Sequence, residues 1–283
     1  MGLRAGEGVV PSTASSPISI RFVRNDPADG LFQARYAACL YCHHGQNVLR
    51  CDAMSSGQIA DRRSAVRRVC SVIERLVRDG VAVARSDSTV HSLFPVAVGA
   101  AEGEALREWV SREGATQTIE IGFGYGISAL HVCEGLLGNA GPTPRHVVLD
   151  PYQAKRFANC GLQFLEEAGV AELVEHRAEE SQIALPRFLS EGRSFHLAFV
   201  DGNHRFDGVF LDLVFLGRLV CAGGIVFVDD YHLPAIKRAA SFCLTNLGWT
   251  LEEVSAADDP HQWAVLRTSA FPDTRPFDYY IDF

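Results

Sequence analysis

The chain has 283 residues, of which 47% are hydrophobic and 21% charged, the proportions of a globular protein rather than a disordered or fibrous one. Its net charge of −8 argues against the basic face that marks a nucleic-acid partner, and no apolar run approaches the length of a membrane span. The eight cysteines follow no framework spacing, which in a chain of this size predicts reduced thiols in a cytoplasm.

Residues 1–53 contain no lysine and show no sustained period. They are expected to be a disordered N-terminal segment, with Met54 as an alternative start and no apolar leader core. Within them Cys39-Leu-Tyr-Cys42-His43 matches C-x-x-C-H, the attachment signal of c-type haem, with His44 and Cys51 nearby. Haem attachment requires export, and zinc requires four ligands in a compact module; the spacing is read as chance. From Ser56 the pattern becomes helical, with Ile59, Val66, Val69, Ile73, Leu76 and Val77 on one face, arginines on the other and Gly80 as the stop. That face packs either on the main domain or on a second subunit, which would make the protein a homo-oligomer. A short strand and loop (Val81–Pro95) complete a unit of residues 54–97, and a helix through Leu106, Trp109 and Val110 opens the main domain, 98–283.

Thereafter strands and helices alternate. Strands are expected at Thr118–Gly122, His146–Asp150, near Leu173–His176, at His196–Asp201 and at Ile225–Asp229. Helices are expected at 126–138, 154–168, 181–190, 206–220 and 233–247. This rhythm means βαβ units with right-handed crossovers. Trp249–Val254 and Gln262–Thr268, separated by a polar turn, predict an antiparallel pair at the sheet edge. The fold class is therefore α/β: a Rossmann-like, seven-stranded, mostly parallel sheet with an antiparallel edge strand, helices on both faces and an N-terminal helical extension.

The chemistry gathers at the strand ends, where open α/β sheets bind their ligands. The first strand runs into Glu120-Ile-Gly122-Phe-Gly124-Tyr-Gly126-Ile-Ser128. Three alternate glycines let ligand atoms approach the backbone, but the dinucleotide fingerprint would need glycine at Ile127. Glu120 would repel a pyrophosphate, and both details point away from NAD. The turn resembles motif I of the class I methyltransferases, in which the acidic residue faces the methionyl ammonium of S-adenosylmethionine. Asp150, ending the second strand, is placed to accept both ribose hydroxyls, or else to cap the helix that begins near Pro151. Ala178 and Glu179 would border the adenine.

The fourth strand ends in Asp201-Gly-Asn203-His204 and the fifth in Asp229-Asp230. Neighbouring strands lie about 5 Å apart, so three carboxylates converge. Left unpaired they would repel one another; a hard cation such as Mg²⁺ resolves this. Alternatively, some of them cap helices or pair with Arg205 or Lys237, Asp230 being the first to be lost that way. His204, beside the cluster, has the ordinary pKa of a base at neutral pH.

Residues Val98 to Thr268 resemble the catechol O-methyltransferase group and the metal-dependent sugar O-methyltransferases. The resemblance implies Asp201, Asp229 and Asp230 as metal ligands and His204 as general base. It also implies cofactor contacts from Val98, Glu120, Gly122, Gly124, Gly126, Ser128, Asp150, Ala178, Glu179 and Asp201. Val98-Gly99 and Gly103 match the cofactor-covering V-G-x-x-x-G. Asp230 and His204 depart from the catechol enzyme and lean toward the sugar branch. The expected activity is methyl transfer to a hydroxyl of a small sugar, polyol or catechol-like molecule. Tyr231, His232, Asn203 and the His91–Pro95 loop are candidate substrate walls. Two alternatives stay open: metal-free methylation of nitrogen or carboxylate, and a non-catalytic adenosyl-binding protein.

Overall fold

The computed structural model describes residues 56–139 and 143–283; the segment 1–53 and its cysteine cluster lie outside them. Helix α1 (Ser56–Asp79) is followed by a hairpin, β1 (Val81–Val83) and β2 (Val90–Ser92), and by α2 (Ala100–Arg112). The rest alternates: β3 (Gln117–Ile121), α3 (Ile127–Gly138), β4 (Arg145–Leu149), α4 (Gln153–Arg156), α5 (Cys160–Ala168), β5 (Val174–Arg177), α6 (Ser181–Ser190), β6 (Phe195–Val200), α7 (Phe206–Leu219), β7 (Val220–Val228), α8 (Pro234–Asn246), β8 (Thr250–Val254) and β9 (Ala264–Arg267).

Seven strands form one sheet in the order β5-β4-β3-β6-β7-β9-β8. Strands β3 to β7 are parallel, and β9 runs antiparallel to both β7 and β8. The expected antiparallel pair thus forms the sheet edge. Its central strands are buried on both faces, as a parallel sheet requires. One apolar layer joins Leu130, Leu136, Phe199 and Phe227 to Leu106 and Trp109; the other joins Ile121, Phe188, Leu213 and Ala240.

The apolar stripe of α1 lies on this domain rather than waiting for a second subunit. Val69, Val72, Ile73 and Leu76 are buried in the same cluster as Leu106 and Leu130. At about 1.5–3 kcal/mol for each buried aliphatic side chain, these four anchor the helix. Arg75 crosses to Glu167 at 2.7 Å and Arg62 donates to the Asn139 carbonyl at 2.6 Å.

Three expectations needed correction. Residues 81–95 hold two paired strands, not one strand and a loop: Val81 faces Ser92 and Val83 faces Val90. The helix expected over 154–168 is broken, because Ala158 and Asn159 adopt φ of 48° and 58°. The break lets Phe123 press on α5, where a Cβ at Gly161 would stand 2.6 Å from its ring. Finally, the last parallel strand begins at Val220 instead of 225, its ladder with β6 shifting register between Phe195 and Leu197.

Candidate active site

Strand register sets the site. Ile121 is level with Leu149 on one side and Val200 on the other, and Val200 is level with Val228. The next residue on each strand is therefore Gly122, Asp150, Asp201 or Asp229, and all four emerge side by side. The ladder carries one step further, with Asp201 N donating to Ile121 O at 2.9 Å and Asp229 N to Val200 O at 3.0 Å. At Gly122 the chain turns with φ of +89°, and a Cβ there would stand 1.9 Å from the Asp201 carbonyl oxygen. Only glycine allows that approach.

The glycine turn is held from beneath by Glu120, which is fully buried. Its Oε1 accepts from Ser128 Oγ at 2.5 Å and its Oε2 lies 2.8 Å from His146 Nε2. His146 Nδ1 in turn lies 2.9 Å from Thr118 Oγ1. Glu120 and Ser128 thus straddle the turn as a structural clasp, with both carboxylate oxygens taken. Asp150 is buried as well. Its Oδ2 accepts from Gly124 N and Gln153 Nε2, each at 3.0 Å, and its Oδ1 from Tyr152 N at 2.7 Å. A carboxylate has about four acceptor positions, so one remains for a further donor. Val98 is buried at the entrance to α2. Ala178 is exposed, and Glu179 is paired with Arg187 at 2.8 Å.

At the other half of the site, single ligand atoms of Asp201, His204 and Asp230 all lie within 4.8 Å of one another. His204 Nε2 is 3.4 Å from Asp201 Oδ1 and 3.3 Å from Asp230 Oδ2. His232 Nδ1 approaches Asp230 Oδ1 at 3.8 Å. Asp230 reaches this position through a left-handed φ of 52°, and its N–H donates back to Asp229 Oδ1 at 2.5 Å. Asp229 points instead into the protein, toward Glu102 and His261.

Burial raises the Asp201 carboxyl to about 7, with Asp229 and Asp230 adding to the rise and His204 opposing it. Burial also raises Asp229, and Asp230 adds to it. Hydrogen bonding to Asp201 holds His204 above its ordinary value. Neighbouring negative charge adds to each of these shifts, and a bound cation would relieve it.

Glu102 did not emerge from the sequence. It is 1% exposed in the first turn of α2 and shares a side-chain hydrogen bond with Asp229, the protonated Glu102 donating to the Asp229 carboxylate. Burial first, and then the Asp229 charge, push it up to about 11. One signal was available: an acid at 102, in helical phase with the buried Leu106, Trp109 and Val110. His146 and His261 were also missed; one histidine in a short apolar strand and one in a polar turn carry no periodic signature.

A seven-stranded sheet in this order with one reversed strand, carrying a glycine turn and acidic strand ends, is the class I methyltransferase fold. Residues 119–231 match the family model of a methyltransferase domain. The matched stretch runs from within β3, through the glycine turn, to the residue after Asp230. Solved structures share the fold. The O-methyltransferase from Bacillus cereus in complex with SAH superposes with a TM-score of 0.56 at 18% identity, over 70% of this chain and 90% of that one. TomG from Streptomyces achromogenes, an O-methyltransferase involved in tomaymycin synthesis and solved with SAM, gives 0.54 at 20%, over 76% and 91%. The SAH-bound methyltransferase PaMTH1 of Podospora anserina gives 0.53 at 18%, over 77% and 98%. No curated protein matches the chain significantly in sequence. Among the described residues no helix is long and apolar enough to cross a membrane.

Proposed function

We propose that the protein is an S-adenosylmethionine-dependent O-methyltransferase of the cytoplasm. Its substrate is a hydroxyl of a small sugar, polyol or catechol-like molecule, and it uses a divalent cation such as Mg²⁺ with His204 as base. The observation that carries this reading is the convergence of Asp201, His204 and Asp230 within 4.8 Å, one strand away from the glycine turn. Carboxylates set together in this way suit a hard cation with oxygen ligands.

Gly122, Gly124 and Gly126 leave the backbone open to the cofactor. Asp150 keeps one acceptor position for a ribose hydroxyl. Glu120, its oxygens occupied, acts on the methionyl ammonium through its buried charge rather than by direct contact. Asp201 and Asp230 would hold the cation, which when bound supplies Lewis-acid polarisation of the acceptor oxygen, while Asp229, turned toward Glu102, would lie behind them. His204 takes the hydroxyl proton as the oxygen–methyl bond forms and the carbon–sulfur bond breaks, giving the methyl ether and S-adenosylhomocysteine. His91, Asn203, Tyr231 and His232 would line the acceptor.

The test combines metal removal with two substitutions, assayed on a panel of polyols, sugars and catechols. EDTA and Asp201→Asn should each abolish turnover while leaving S-adenosylhomocysteine affinity within a few-fold. His204→Ala should lower kcat by about two to four orders of magnitude, the range of a lost general base. Turnover indifferent to EDTA would favour metal-free methylation, and tight cofactor binding with no turnover would favour a binding protein.

A further inference from the structure

Away from the strand ends, helices α1, α2 and α3 border an open pocket of about 650 Å³, a size within the range of about 300–1,000 Å³ typical of small-molecule sites. Ala100, Glu104 and Arg107 recur at helical spacing along α2 and form one wall. That face is opposite the one by which Glu102 meets Asp229. Ile73 and Val77 of α1 give an apolar wall, and His131 and Glu134, three residues apart on α3, give the last.

His131 stands out. It is 7% exposed, and among the described residues neither ring nitrogen has a hydrogen-bond partner. Buried polar groups are ordinarily paired. Burial, and then the Arg107 charge, push its pKa down to about 4, so at neutral pH one nitrogen donates and the other accepts. Helix α2 packs directly on the imidazole, since a Cβ at Gly103 would stand 2.4 Å from it. A hydroxyl, which both donates and accepts, can partner whichever nitrogen meets the pocket.

Around His131 the carboxylates outnumber the cations that could neutralise them. Glu74, Glu104 and Glu134 share the pocket with Arg78 and Arg107. Arg78 is turned to Asp79 at 3.0 Å, and Arg107 is divided among Glu104, Glu108 and Glu134 at 3.2, 3.6 and 3.6 Å. The surplus of negative charge favours a cationic ligand. Among the described residues the ligand atoms close enough together to hold one ion are those of Asp201, His204 and Asp230, so this pocket suits an organic cation rather than a metal.

We propose that the pocket is a second binding site, for a small amine that carries a hydroxyl group and an apolar body. The hydroxyl meets His131, the ammonium faces Glu134 and Glu74, and the apolar body lies on Ile73 and Val77. The site is separate from the acceptor site and does not depend on metal-assisted methyl transfer.

The probe is phenylalaninol, titrated by calorimetry into the full chain while the His131 ring resonances are followed by NMR. Wild type should bind it and the His131 signals should shift. Phenylpropanol lacks the ammonium and phenylpropylamine lacks the hydroxyl; each should bind at least about tenfold more weakly. His131→Phe keeps a ring without its nitrogens and should weaken phenylalaninol by a similar factor. Glu134→Gln should do the same, and it serves as the test if the Phe variant fails to fold. Both variants should keep wild-type S-adenosylhomocysteine affinity, and Asp201→Asn should bind phenylalaninol as wild type does. No binding by wild type, binding that neither pocket substitution weakens, or binding lost in Asp201→Asn would each overturn the proposal.

Discussion

Replacing Ser128 by alanine tests the clasp beneath the glycine turn. Ser128 Oγ donates to Glu120 Oε1 at 2.5 Å, and Glu120 has no exposed surface, so no water can take the hydroxyl's place. A hydrogen bond to a charged group contributes about 1.5–3 kcal/mol, and stranding its acceptor in the interior puts the loss in the upper part of that range. The expected cost is about 2–3 kcal/mol, a urea midpoint lower by about 1 M for a slope near 2 kcal/mol per M. Because Glu120 and Ser128 bracket residues 122–126, the turn should loosen too. S-adenosylhomocysteine affinity should fall about tenfold, equivalent to 1.4 kcal/mol. Ser128→Thr keeps the hydroxyl and should recover most of both effects. Urea unfolding by circular dichroism and calorimetry give the two readouts. If Ser128→Ala unfolds within 0.5 kcal/mol of wild type and binds the cofactor as well, Glu120 is not a buried charge held by Ser128, and the clasp is wrong.

Asp212, 1% exposed on α7, has its carboxyl raised from 3.8 to about 6 by burial. A folded pKa above the unfolded one favours the native state at low pH, and that stability is lost as pH rises from about 4 through 6. The displacement is worth about 3 kcal/mol. Asp212→Asn should therefore match wild type near pH 4 and exceed it by about that amount at pH 8; a gain independent of pH refutes the assignment. Gly122→Ala should lose more than the ~1–2 kcal/mol of a left-handed φ alone, because its Cβ would meet the Asp201 carbonyl at 1.9 Å. An alanine variant with wild-type melting temperature and cofactor affinity would show that the turn does not press on the strand end.

The architecture was legible in the sequence because its elements are long and periodic. Alternating apolar strands and helices leave little choice but a parallel sheet, and the glycines of 122–126 mark where a strand must turn tightly. The acids at 150, 201, 229 and 230 could be placed at strand ends for the same reason, since each closes an apolar run. Where their side chains point could not be read. Asp230 joins Asp201 and His204 because its backbone enters a left-handed turn, whereas Asp229, one residue earlier, faces the interior. Glu120 was expected to look at the cofactor, but Ser128 and His146 occupy its oxygens. Glu102 sits in a helix far from the other acids in sequence, and only the packing of α2 over the sheet brings it to Asp229. Local pattern determines which backbone conformation a segment adopts, because propensity and periodicity act over a few residues. Which charged groups share one buried space depends on register, helix packing and single φ angles, and these are decided only when the whole chain closes around its core.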